Sequence, residues 1–193
     1  METIVLDIET EKEFKEVGGK QNMQMLGVTV VGTYAYNTKR AYAYEKHEFG
    51  ELEPLLRDSG LLIGFNINHF DLPVLQPHVG IDLQKLHVLD LMEDIEKSAG
   101  FRLSLDNLSR ATLGAGKIGY GLDAIWWWRD GLKDKVKEYC LKDVTLTRDL
   151  YEFGRERGFV LGDTRDRGRI RIPVRWSDIK PREREAYVQG NLI

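Results

Sequence analysis

The chain is short of several things, and each shortage narrows what it can be. It has one cysteine in 193 residues, Cys140, so no internal disulfide can form, and the cytoplasm is the expected compartment. No apolar run approaches the roughly 20 residues that cross a bilayer, and the first residues turn acidic at once, unlike a signal peptide. No membrane partner is expected. Internal repeats and low-complexity segments are absent as well. Positive charge is not in excess: the net charge is −3, which does not advertise a partner rich in phosphates. That figure is weak as an exclusion, because a protein that clusters acids at a metal site can still place basic groups elsewhere.

What remains is an ordinary globular composition, 42% hydrophobic and 31% charged, of a length that suits one domain with a sizeable core. Strands are expected at Thr3–Ile8, Leu26–Tyr36, Arg40–Tyr44, Leu61–Phe65 and Leu86–Leu91. The second and third read as a hairpin joined by Asn37-Thr38-Lys39. A polar loop, "EKEFKEVGGKQN", separates the first two strands. Helices are expected near Glu51–Arg57, at Asp71–Val79 with Pro73 in the first turn, near Leu103–Leu113, at Asp123–Arg129 and at Lys133–Arg157, where Gly158 is a stop signal. Three strands in succession followed by alternating helices and strands predict an α/β mixed five-stranded sheet with helices packed on it. The expected division is a domain over 1–160 and an arginine-rich extension over 161–193 that is docked on it or extends it.

The first strand poses the chemical question. "IVLDIET" sets Asp7 and Glu9 two residues apart, hence on one face, where like charges repel. Asp71 follows the buried strand in "GFNINHFDLPVL" and alone reads equally well as a first-turn helix residue. In the long helix, Val136, Cys140, Val144, Thr147 and Tyr151 mark a buried stripe on which Asp143 also falls, with Tyr139 one turn before it. Four inward carboxylates whose motifs supply no buried lysine or arginine suit hard divalent cations, Mg²⁺ or Mn²⁺, with oxygen ligands. Two such ions can activate water and steady a leaving oxygen at a phosphodiester.

The order D-x-E at Asp7/Glu9, N-x4-D at Asn66/Asp71 and Y-x3-D at Tyr139/Asp143 resembles the DEDDy branch of the DnaQ-like 3′→5′ exonucleases, which share the ribonuclease H fold. "FNINHFDLPVL" is similar to the second motif of family B polymerase proofreading domains. "LDNLSRATLGAGK" and "YCLKDVTLTRDLY" resemble the same group, including exonuclease-like domains found alone or beside helicases. The resemblance covers Ile4 to about Tyr151. It implies that Asp7, Glu9, Asp71 and Asp143 hold two metal ions and that Tyr139 orients the attacking water. In the sister branch a histidine five residues before the last aspartate has that role, and here Glu138 stands there. Thr10, Asn66 and Phe70 are implied to touch the terminal nucleotide. The implied partners are single-stranded DNA or RNA 3′ ends and a helicase or other DNA-processing protein. A trimmer of RNA and a helicase-associated binding module with little turnover remain open readings.

Other features carry less. "LGAGK" lacks the P-loop glycine and hydroxyl, since Ala111 and Ile118 occupy those places. Trp126, Trp127 and Trp128 are adjacent on one helix and so face different sides, which favours packing over a shared stacking surface. His47, His69, His78 and His87 have no metal-like spacing, Asp90 ends a strand without an implied metal role, and Cys140 reads as a small apolar residue. In the tail, Ile170, Ile172, Val174 and Trp176 alternate with Arg169, Arg171, Pro173 and Arg175. This is the pattern of a one-sided strand, either docked as scaffold or tracking phosphates.

Overall fold

A computed structural model describes residues 1–116 and 121–183. Ile118, and with it the end of the "LGAGK" stretch, lies outside the described residues, as do residues 184–193 of the expected extension. In chain order the elements are β1 (Glu2–Thr10), β2 (Val28–Ala35), β3 (Arg40–Glu45), α1 (Phe49–Arg57), β4 (Ser59–Gly64) and α2 (Asp71–Leu75). They continue with β5 (Val88–Asp90), α3 (Leu91–Ala99), α4 (Leu105–Leu113), α5 (Gly121–Arg129), α6 (Lys133–Arg157), β6 (Phe159–Thr164) and β7 (Gly168–Pro173).

The five expected strands form one sheet, in the order β3-β2-β1-β4-β5. β2 runs antiparallel to β1 and β3, while β4 lies parallel to β1 and to β5. Period-two alternation divides the core between the two faces of the sheet. Ile4, Leu6 and Ile8 of β1 pack with Leu52 and Leu56 of α1 and Val74 and Leu75 of α2. Val5, with Leu61 and Ile63 of β4, packs against Val144, Leu146 and Leu150 of α6 and Leu108 of α4. Among the described residues no helix is long and apolar enough to cross a membrane.

α6 has the expected bounds, and its end is set by Gly158, whose φ of 74° is a left-handed cap that a side chain would strain. Where α6 crosses β2, Gly32 leaves room for it. A Cβ on Gly32 would stand 2.7 Å from Cys140 Sγ and 3.0 Å from Val144 Cγ2. The helix therefore lies closer to the sheet than any side chain at 32 allows.

Three expectations need correction. The fifth strand is shorter than Leu86–Leu91, because Asp90 ends it and caps α3, an unexpected helix; the Asp90 carboxylate accepts from the N–H groups of Met92 at 3.0 Å and Glu93 at 3.3 Å. α2 stops at Leu75 and a 3-10 turn, Gln76–His78, takes up the rest. The tail is not one strand but an antiparallel ribbon, β6 with β7, followed by a 3-10 turn at Trp176–Asp178.

The alternation in the tail nevertheless sets its burial: Ile172, Val174 and Trp176 are buried and Arg169, Arg171 and Arg175 exposed. Trp176 stacks on Tyr151 with centroids 6.1 Å apart, fills the space beside Gly154, and donates its indole N–H to Asp94 Oδ2 at 2.7 Å. The outer edge of β6 is stitched to α4. The Asn107 carboxamide donates to Asp163 O at 2.8 Å and accepts from Asp163 N at 3.0 Å, and Thr112 Oγ1 bonds both Leu161 N and Leu161 O. Two of the exposed arginines have partners within the ribbon, Arg169 on Asp163 at 2.9 Å and Arg171 over the Phe159 ring at 3.7 Å.

Two outcomes follow for stability. Ile172→Asp places a charge in a fully enclosed site and lowers stability by roughly 3–4 kcal/mol, whereas neutralising the exposed Arg169, Arg171 and Arg175 leaves the melting temperature nearly unchanged. Gly32→Ala forces α6 off the sheet and costs about 1–3 kcal/mol. Thermal melts of the variants check both; an unchanged Gly32→Ala midpoint would mean that the helix does not need the close approach.

Candidate active site

The site begins where β1 outruns its neighbour. Parallel pairing with β4 stops at Val5–Ile63, while antiparallel pairing with β2 continues to Glu9–Val30 and then slips by a bulge to Thr10–Val28. Beyond Val5 the β4 side of β1 is open, and Asp71 Oδ1 accepts the Ile8 N–H there at 3.1 Å. A carboxylate thus takes the place of a strand, and it fixes the start of α2 against the end of β1.

Asp7 and Glu9 share the β1 face that carries Val5, the face turned toward α6. There the close packing at Gly32 brings Cys140 against them, with Sγ 3.5 Å from Asp7 O and 3.7 Å from Asp7 Oδ2. One ligand atom each from Asp7, Glu9 and Cys140 lie within 4.8 Å of one another. Cys140 is fully buried, and burial, with the charges of Asp7 and Glu9, pushes its thiol pKa well up. It therefore faces Asp7 as a weak S–H donor. The sequence reading missed this contact because it depends on Gly32, more than a hundred residues away.

Asp7, Glu9, Asp71, Asp143 and Tyr139 all line one cleft of about 390 Å³. Asp71, Asp143 and Tyr139 are each 3% exposed and Glu9 7%, so these stand at the bottom rather than on a solvated rim, with Asp7 half-buried. Trp127 of α5 meets the Tyr139 ring edge-on, centroids 5.8 Å apart, and fixes its plane. Thr10 and Phe70 line the cleft as well. The Thr10 hydroxyl donates to Lys12 O at 3.1 Å.

Asn66 stands apart from the other candidates and does not line this cleft. Its φ of 65° turns the chain, its N–H is held by Asp90 Oδ1 at 2.9 Å, and its carbonyl accepts from the N–H groups of His69 and Phe70. It shapes the loop that presents Phe70. Asp90, by the same bonds, serves the loop and the α3 cap. Phe14 is a lining residue that the sequence reading left in a polar loop; it packs edge-on against Phe70 at 6.0 Å. Its signal was faint, a lone aromatic at the start of a 3-10 turn (Phe14–Val17) closed by a Glu13–Glu16 capping box. His69 bonds Glu93 at 2.9 Å and His87 the Gly60 carbonyl at 3.2 Å, structural roles for both.

The carboxylates of Asp7, Glu9, Asp71 and Asp143 are hard oxygen donors that fit a divalent cation, and the Asp7 and Glu9 carboxylates with the Cys140 thiol form a group close enough to hold a metal ion.

Comparison with known proteins gives a consistent picture of the fold. The family model for the RNase_H superfamily matches residues 4–153. Among solved structures, the family B DNA polymerase from the hyperthermophilic archaeon Pyrobaculum calidifontis is similar over 80% of this chain, with a TM-score of 0.62 and 18% identity. The match takes in 24% of the polymerase chain, so this chain spans about a quarter of that length. Curated proteins return no match.

If the carboxylates hold a divalent ion, Mn²⁺ stabilises the wild-type protein, by about 2–4 °C in melting temperature per kcal/mol of binding linkage. Asp7→Ala abolishes that shift. An equal Mn²⁺ shift in wild type and Asp7→Ala would remove Asp7 from the site.

Proposed function

The chain belongs to the RNase_H superfamily, and from that premise we propose that it is a divalent-metal-dependent 3′→5′ exonuclease acting on single-stranded ends, with DNA favoured. Membership of the superfamily supports nuclease activity in general and a nucleic-acid substrate. The observation that carries the finer reading is the convergence of Asp7 and Glu9 from β1, Asp71 from α2 and Asp143 from α6 on one cleft with Tyr139 in its wall. At about 390 Å³ the cleft has the size that holds one small ligand, and so one nucleotide. The preference for DNA rests on the likeness to the family B DNA polymerase.

In this reading Asp7, Glu9, Asp71 and Asp143 hold two ions, Mg²⁺ or Mn²⁺. When bound, such ions lower the pKa of a water nucleophile and stabilise charge on the leaving oxygen. The chain's own groups do the rest. The Tyr139 hydroxyl orients the attacking water, its ring kept in plane by Trp127. Phe70, backed by Phe14, supplies an apolar wall for the terminal base, and Thr10 contacts the same nucleotide. Asn66 contributes at one remove, through the loop that carries Phe70. Water adds to phosphorus, the bond to the 3′ oxygen of the preceding nucleotide breaks, and that oxygen leaves as a hydroxyl. An enzyme that needs single-stranded ends calls for a strand-separating partner, such as a helicase.

End-labelled DNA and RNA strands incubated with Mg²⁺, Mn²⁺ or EDTA test the reading. The expected result is stepwise loss of nucleotides from the 3′ end, faster on DNA and abolished by EDTA. Tyr139→Phe keeps the ring against Trp127 and lowers turnover by roughly 10- to 1000-fold while the Mn²⁺ thermal shift persists. A wild-type rate in Tyr139→Phe would make the tyrosine structural, and a wild type that degrades no strand with either ion would overturn the assignment.

A further inference from the structure

α5 carries a stripe that leaves the cleft and continues outside it. Leu122 and Ile125 line the cleft, and Trp126 and Arg129 follow at the three- and four-residue spacing that keeps side chains on one helix face. Along the helix, Trp126 stands about 6 Å beyond Leu122. Leu122 is 53% exposed and Trp126 51%, so the two adjoin as an exposed apolar strip on this face of the helix. Trp127 and Trp128 are half-buried, so Trp126 is the one member of the triplet presented to solvent.

Each tryptophan of the triplet has its own cation, and the one on the Trp126 side is Arg129. The Arg129 guanidinium lies over the Trp126 ring at 5.3 Å, Lys133 over Trp128 at 4.7 Å and Lys135 over Trp127 at 4.0 Å. Glu16 anchors Arg129 at 2.8 Å, which holds the guanidinium beside the Trp126 ring. A polyanion that must enter a cleft floored with carboxylates needs positive charge at its mouth.

We infer that Trp126, with Arg129 behind it, is the stacking platform for the bases of a single strand just upstream of the nucleotide held in the cleft. The inference rests on the nuclease reading of that cleft and adds the path by which its substrate enters. The occupant is a single strand because an indole against a cation matches a base beside its phosphate. It is also favoured because the stripe is continuous with the cleft wall. Every base has a π-face, so the platform grips strands without choosing sequence.

The test measures KM for end-labelled oligothymidylates of two and six nucleotides with Mn²⁺, using the full chain. In the wild type KM falls as the strand lengthens. Trp126→Leu keeps an apolar residue on the helix but no ring, and it loses that gain by about 5- to 100-fold, as expected for one stacked base. Trp126→Phe retains most of the gain, and circular dichroism confirms that both variants fold. An unchanged length dependence in Trp126→Leu, with wild type cleaving, overturns the platform and leaves the nuclease reading standing. If the wild type cleaves neither strand, the nuclease reading falls. The platform is then decided by fluorescence anisotropy of the same labelled strands, where weaker binding by Trp126→Leu supports it and equal binding overturns it. A substitution that dissolves a dimer without changing strand affinity assigns the patch to a second copy of the chain and overturns the inference.

Discussion

The close approach of α6 to the centre of the sheet is the constraint on which the rest depends. With hydrogen as the side chain of residue 32, the helix settles until Cys140 and Val144 rest where a Cβ would stand. That seating brings one helical turn of α6, Tyr139 to Asp143, over the end of β1, and so gathers acids from opposite ends of the chain into one cleft. The same contact serves packing, since Val144 joins the apolar cluster beneath α4 and the β6-β7 ribbon. Site and core share one lock.

Concentrating carboxylates in one cleft works against folding, because each charge is partly desolvated and repels the next. The fold meets this locally. Asp71 accepts a β1 amide that the sheet leaves over, so its charge replaces a missing strand contact. Asp90, close by in sequence but outside the cleft lining, bonds four backbone N–H groups, from Asn66, Asn68, Met92 and Glu93. Two aspartates of similar burial thus diverge in role: the neighbours of Asp90 saturate it with amides, while Asp71 shares a cleft with other acids.

Much of this was legible in the residues. The five strands and the bounds of α6 follow from periodicity and from Gly158, and the acids were found because each breaks an apolar pattern that its neighbours keep. The failures have physical causes. α3 was hidden because Asp90 ends a strand and starts a helix without a linker, so Leu91 read as strand. β6 was missed because its partner β7 showed the stronger alternation, and a ribbon needs both halves to be recognised. Phe14 was overlooked, and the hold of Asp90 on the Asn66 N–H went unseen, because both contacts form only after the chain has closed, Phe14 against Phe70 and Asn66 against Asp90. The nearness of Cys140 to Asp7 is a property of Gly32, and no local pattern around position 140 could announce it.

The stitching of β6 to α4 has a consequence for how this chain meets its own kind. A strand edge with idle peptide groups invites another strand to align with it. Asn107 fills that vacancy with a carboxamide, a planar group offering one donor and one acceptor at the spacing of a peptide bond, and Thr112 repeats the device on Leu161. The helix therefore impersonates a neighbouring strand two residues at a time. An aspartate of the same size at 107 would present two acceptors, one of them facing the Asp163 carbonyl, and the disguise would fail. Side-chain chemistry on a helix thus keeps the ribbon's open flank from recruiting a foreign β-strand.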